Sequence, residues 1–100
     1  MKVVLDPAAM AEMMDAACFY EEARVGLGVT FLATIEEAFK KVGHKPRLWP
    51  RLKGPFRRCL ITGFPYGIIY RVDLDSVYVA AIMHLKRKPD YWTRRTKNTE

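Results

Sequence analysis

Apolar positions follow two different periods along this chain. Residues 2–5 alternate weakly and predict a short strand. Asp6 then offers an N-cap, and Pro7 suits a first helical position. Over residues 7–24, Met10, Met13, Ala17 and Tyr20 recur at helical spacing. They predict a helix with Glu12, Asp15, Glu22 and Arg24 on its wet side. Val25-Gly26-Leu27-Gly28 breaks that helix. A second, starting near Val29, carries Gly28, Leu32, Ile35, Phe39 and Val42 as its stripe and Gly43 as its C-cap. Glu36 with Lys40 and Glu37 with Lys41 are favourable i,i+4 pairs on its outer face. The two stripes face each other in an α-hairpin that needs an apolar surface beneath it.

From Phe56 the period changes to two. Arg57 and Arg58 fall on opposite faces of one strand. After Gly63-Phe64-Pro65, a second strand puts Tyr66, Ile68, Tyr70 and Val72 on one face and Gly67, Ile69 and Arg71 on the other. Asp73-Leu74-Asp75-Ser76 is a hairpin turn, and residues 77–83 are apolar on both faces, as a central strand is. Residues 44–55 hold Pro46, Pro50, Gly54 and Pro55 and predict an irregular connection. Tyr91 and Trp92 are placed to dock a last helical turn. The expected architecture is α+β, of order β-α-α-β-β-β: an N-terminal α-hairpin on a small antiparallel-rich sheet, with a short C-terminal helical turn. Residues 1–100 make a single domain in this reading, with 95–100 frayed.

Composition narrows the function classes. With 50% hydrophobic residues the chain is no disordered tail, and no apolar run suffices to span a bilayer. The first residues are too short an apolar stretch for a signal peptide, so a cytoplasmic location without membrane contact is expected. Cys18 and Cys59 are expected as reduced, buried thiols. The net charge of +6 is unevenly spread. Residues 1–37 hold Asp6, Glu12, Asp15, Glu21, Glu22, Glu36 and Glu37 against Lys2 and Arg24. Residues 38–72 hold no acid and carry Lys40, Lys41, Lys45, Arg47, Arg51, Lys53, Arg57, Arg58 and Arg71. That distribution suits a polyanionic or acidic partner on one side of the molecule, beside the plainer role of keeping a small protein soluble. Trp49, among these bases, is placed either to stack on a nucleotide or to close the end of the core.

Catalytic chemistry is sparse. No metal site is visible at any ligand spacing, and no cofactor or phosphate-binding glycine loop is expected. His84 ends the central strand, with Lys86, Arg87 and Lys88 following and Tyr91 one turn later. A His, cations and a phenol can cleave RNA without a metal: the 2′-OH attacks, His or Tyr moves protons, and Arg stabilises the phosphorane. A histidine at a strand end is also an ordinary core-edge residue.

Five segments in order resemble one family. Phe64-Pro65-Tyr66-Gly67-Ile68-Ile69-Tyr70-Arg71-Val72 looks like the FPY-x-IIY-x-V signature of ParE-like toxins. His84-Leu85-Lys86-Arg87-Lys88-Pro89-Asp90-Tyr91-Trp92 resembles their closing H-x-x-R-x-P-x-YW motif. Ala16-Ala17-Cys18-Phe19-Tyr20-Glu21, Gly26-Leu27-Gly28-Val29-Thr30-Phe31-Leu32 and Pro46-Arg47-Leu48-Trp49-Pro50 are similar to three upstream segments. The chain thereby resembles RelE/ParE superfamily toxins of bacterial type II toxin–antitoxin systems over about residues 5 to 95. The resemblance implies a growth-inhibiting toxin neutralised by a cognate antitoxin in a hetero-oligomer. It implies one of two targets: DNA gyrase for ParE-like members, or mRNA in the ribosome for RelE-like endonucleases. RelE-like enzymes carry a catalytic Arg where this chain has Gly67, so the lean is to gyrase. If the chain is a nuclease, His84, Arg87 and Tyr91 are its candidates. For target or antitoxin binding the candidates are Arg57, Arg58, Arg71, Lys86, Arg87, Tyr91 and Trp92. An amphipathic antitoxin segment is expected over the hairpin and sheet, its acids meeting Arg57, Arg58, Arg71 or the tail bases. A non-toxic nucleic-acid-binding module is a third reading.

Overall fold

The computed structural model describes residues 1–98, with side chains through Arg95. Its elements are β1 (Lys2–Leu5), α1 (Pro7–Ala23), α2 (Leu27–His44), β2 (Arg51–Lys53), β3 (Phe56–Leu60), β4 (Tyr66–Val72), β5 (Ser76–His84) and a 3-10 turn (Thr93–Asn98). The strands form one sheet in the order β1-β5-β4-β3-β2. β1 lies parallel to β5, and the other neighbours are antiparallel. The expected two-helix, sheet-backed architecture is present. One strand was not foreseen: β2, within the connection expected to be irregular. It is exposed throughout and joins β3 through an irregular register, so no alternation marks it.

Asp6 caps α1 as its position suggested, its Oδ1 accepting from the Ala8 N–H at 2.8 Å, with Pro7 opening the helix. The buried side of α1 differs from the methionine stripe. Ala9, Ala16 and Ala17 are buried, whereas Met10 and Met14 are exposed. Small side chains let α2 come close. At Gly28 an added Cβ would stand 2.4 Å from the Ala17 carbonyl oxygen, so only glycine fits that crossing. Glu21 of α1 caps the start of α2, its carboxylate accepting from the Gly26 and Gly28 N–H groups at 2.8 and 3.0 Å. α2 begins at Leu27 and runs through Gly43, which lies inside the helix, to His44. Lys40 pairs with Glu37, not Glu36, and at exposed positions such a pair adds little.

The sheet has a core on each face. Under the helices lie Phe31, Ile35, Val42, Cys59, Ile61, Ile68, Tyr70, Val77, Val79 and Ile82. Cys59 is thus the buried thiol, while Cys18 is exposed on α1. Trp49 packs against this core, closing its end. The far face gathers Phe56, Ile69, Ala81, Met83 and Trp92, with the Phe56 and Trp92 rings 4.9 Å apart. Ile69 faces Ala81 and Tyr70 faces Val79, so Ala80 is the extra residue of a β-bulge. The bulge resets the alternation of β5 and keeps Ile82 on the helix side. No helix among the described residues is long and apolar enough to cross a membrane.

Candidate functional site

β1 ends opposite Val79, and the outer edge of β5 continues beyond it without a strand neighbour among the described residues. Side chains close that edge. Glu12 of α1 reaches it because it sits three residues after Ala9 and four before Ala16, on the buried side of the helix. Its Oε1 accepts from the Ile82 N–H at 3.0 Å. Arg95, from the C-terminal turn, forks onto both carboxylate oxygens at 3.0 and 2.9 Å and also donates to the Ala80 carbonyl at 3.0 Å. The Tyr91 hydroxyl donates to Oε2 at 2.8 Å, and the Arg87 guanidinium lies 3.6 Å from the same oxygen. Glu12, expected on the wet side, is therefore the junction of α1, β5 and the C-terminal segment. The small residues at 9 and 16 that flank it carry the sequence signal, which the larger methionines at 10, 13 and 14 outweigh in a hydrophobic pattern. Arg95, where fraying was expected to begin, is held at this junction, and residues 99 and 100 lie outside the described residues.

Beside the junction is a cleft of about 290 Å³, lined among others by Phe19, Tyr66, His84 and Arg87. The His84 ring meets the Tyr66 ring edge-on at 5.1 Å, and its Nδ1 accepts from the Lys86 N–H at 3.1 Å. Arg87 lies over the Tyr91 ring, 3.7 Å from its centroid. Burial pushes the Tyr91 hydroxyl well above the ordinary tyrosine range, and its hydrogen bond to the Glu12 carboxylate adds to this. That phenol holds its proton and points it at Glu12, a poor arrangement for a proton carrier. Of the three nuclease candidates, His84 and Arg87 share the cleft, and Tyr91 stands outside its lining.

The basic candidates separate. Arg57 donates to the Trp49 carbonyl at 2.7 Å and to that of Arg47 at 3.4 Å, fastening the segment before β2 to the sheet. Arg71 forms a two-point pair with Asp73 at 2.7 and 3.1 Å and stacks against Tyr78 and Phe56. Both are spent inside the fold, so reversing their charges would dismantle these contacts before testing any partner. Trp92 is 1% exposed, its indole N–H donating to the Pro89 carbonyl at 2.9 Å; it anchors the tail in the far core. Arg58 faces the far side, opposite Ile69, and its aliphatic stem fills the space over Gly67, 3.1 Å from where a Cβ would stand. Lys86 is exposed, and the Arg87 side chain is 54% exposed. Among the described residues no group of three or more His, Cys, Asp or Glu is placed to hold a metal ion.

Comparison with known families supplies the deciding observation. Residues 3–89 match the model for the ParE toxin of the type II toxin–antitoxin system, parDE. The chain belongs to the ParE toxin family. No curated protein matches it by sequence. Among solved structures, a chain of the "Chromosomal ParDE TA system from P. aeruginosa" superposes with a TM-score of 0.63 at 13% identity, covering 86% of this chain and 97% of that one. At that identity the likeness concerns the fold, which is the helical hairpin on a mixed sheet described above. Family membership embraces all five motifs quoted from the sequence except the final residues of the last, which lie beyond residue 89.

Proposed function

We propose that this ParE-family chain is a growth-inhibiting bacterial toxin, held inactive in the cytoplasm by a cognate antitoxin, and that it blocks DNA gyrase by binding it. The observation that carries the choice of binding over nuclease chemistry is the Tyr91–Glu12 hydrogen bond at 2.8 Å. It commits the phenol to holding the C-terminal segment. Gly67, with the Arg58 stem lying across it, offers no side chain of its own where RelE-like relatives have an arginine. In this reading Tyr91 and Trp92 position the tail, and Arg58, Lys86 and Arg87 present the charge that target or antitoxin meets. The antitoxin is an acidic amphipathic segment laid along the groove of about 200 Å³ between the helices, lined by Met13, Met14, Leu32, Ile35, Glu36 and Phe39.

The test is induction of the chain in bacteria without antitoxin, followed within minutes by labelled thymidine and methionine incorporation. Thymidine uptake should fall first, purified chain should inhibit gyrase supercoiling, and His84→Ala should remain toxic. Methionine falling first, with His84→Ala harmless yet still bound by antitoxin, would replace this reading with a ribosome-dependent endonuclease.

A further inference from the structure

Residues 38–72 hold no carboxylate, and the structure decides which of their cations face outward. Arg57 and Arg71 are removed from the set by their internal bonds. Lys41, Lys45, Arg47, Arg51 and Lys53 are exposed and Arg58 is half-buried, and none is paired with a carboxylate among the described residues. They follow one another around a single rim: the end of α2, the segment leading into β2, β2 itself at the sheet edge, and the far side of β3. Asp73, the first acid after this stretch, is already taken by Arg71.

The rim is built. Tyr70 donates to the Pro46 carbonyl at 2.6 Å, Arg57 to that of Trp49 at 2.7 Å, and the Arg58 N–H to that of Pro50 at 3.3 Å. These bonds fix the backbone that carries Arg47, Arg51 and Lys53, so less ordering entropy is lost on binding. The edge is also unsuited to adding a strand. β2 is three residues long with an irregular register, and Pro50 and Pro55 flank it. Proline removes backbone donors, and short, irregular, charged edges resist pairing. A partner that bonds only to the side chains of this rim, and that repeats a negative charge every few ångströms, meets both conditions.

We propose that this rim binds the phosphate backbone of nucleic acid, without base readout. Phosphate contacts from Lys and Arg position a protein on a duplex regardless of sequence, and Arg adds two-point bonding. The proposal is independent of the toxin reading, since its readout involves neither growth nor gyrase.

The experiment is fluorescence anisotropy of the purified full chain with a labelled mixed-sequence DNA duplex of about 20 base pairs, titrated with salt. With four to six phosphates neutralised, log K should fall against log salt with a slope of about −4 to −5. Arg51→Glu with Lys53→Glu should reduce the slope by about 2 and the low-salt affinity more than tenfold. Both side chains are exposed, so the melting midpoint should stay put, and the neutral Arg51→Gln with Lys53→Gln should show a smaller loss in the same direction. Arg24→Glu, exposed before the start of α2 and a helix length from its basic end, should leave the slope unchanged. Three results would each overturn the proposal: no binding at low salt, an equal loss from Arg24→Glu, or tighter binding of a polyglutamate peptide than of DNA.

Discussion

Replacing Glu12 with alanine strips three segments of a shared acceptor. The Ile82 N–H loses its partner, the Tyr91 hydroxyl loses its own, and Arg95 keeps the Ala80 carbonyl and its place over the Tyr91 ring. Hydrogen bonds to charged groups contribute roughly 1.5–3 kcal/mol each, and removing one member of a buried ion pair costs about 3–5 kcal/mol. Glu12 and Arg95 side chains are 15% and 20% exposed, so solvent screens part of this. About 3 kcal/mol is the expected loss for Glu12→Ala. For a chain of 100 residues that lowers Tm by roughly 12–24 °C, at about 4–8 °C per kcal/mol. Glu12→Gln retains one acceptor oxygen and should lose roughly half as much. Thermal melting of both variants, with Arg95→Met to complete a double-mutant cycle, measures the pair directly; its coupling should be about 1–2 kcal/mol. Amide exchange at Ile82 should accelerate in Glu12→Ala. If that variant melts within about 4 °C of the parent, as a solvated surface glutamate would, the junction does not hold the tail.

Two further outcomes follow from the packing. Gly28→Ala drives a methyl to 2.4 Å from the Ala17 carbonyl and 2.9 Å from the Glu21 Cβ, where backbone cannot yield. Urea denaturation should show a loss of about 2 kcal/mol or more, and a neutral result would mean that the helices separate freely. Tyr70 and Tyr78 are each pushed up to about 12 from 10.0, chiefly by burial. Because the fold retains protons that the unfolded chain releases, their contribution is fully present below pH 10.0 and is lost as pH rises through about 12. Tyrosinate absorbance should rise late and together with loss of far-ultraviolet ellipticity; independent ionisation of all tyrosines near 10.0 would contradict the burial.

Much of the fold was legible where periodicity and burial coincide. Ile68 and Tyr70 face the helices and Ile69 the opposite core, as alternation in β4 required. The double-sided apolar character of β5 reflects its place between β1 and β4. Legibility ended where one residue does a job its type does not advertise. Glu12 and Glu21 look like solvated helix acids, yet each caps backbone groups of another element, a relation that exists only once the chain has turned back. Arg57 and Arg71 looked like members of one basic surface, because charge reads directly from sequence while the neighbouring carbonyls and Asp73 that engage them do not. β2 is too short and too exposed to carry a period.

The pairing of β1 with β5 has a consequence during synthesis. Lys2 sits opposite Ser76 and Leu5 opposite Val79, so β1 must wait for β5. A nascent chain that has emerged only through β4 has no seat for β1 and leaves Val3 and Leu5 without their neighbours. Long-range pairing of this kind is slow, because loop entropy is lost before contacts repay it. A chain cut short before β5 therefore has an unfinished sheet and no Glu12–Arg95 closure. The sheet therefore closes only after β5 has emerged, however early β1 and the helical hairpin are made.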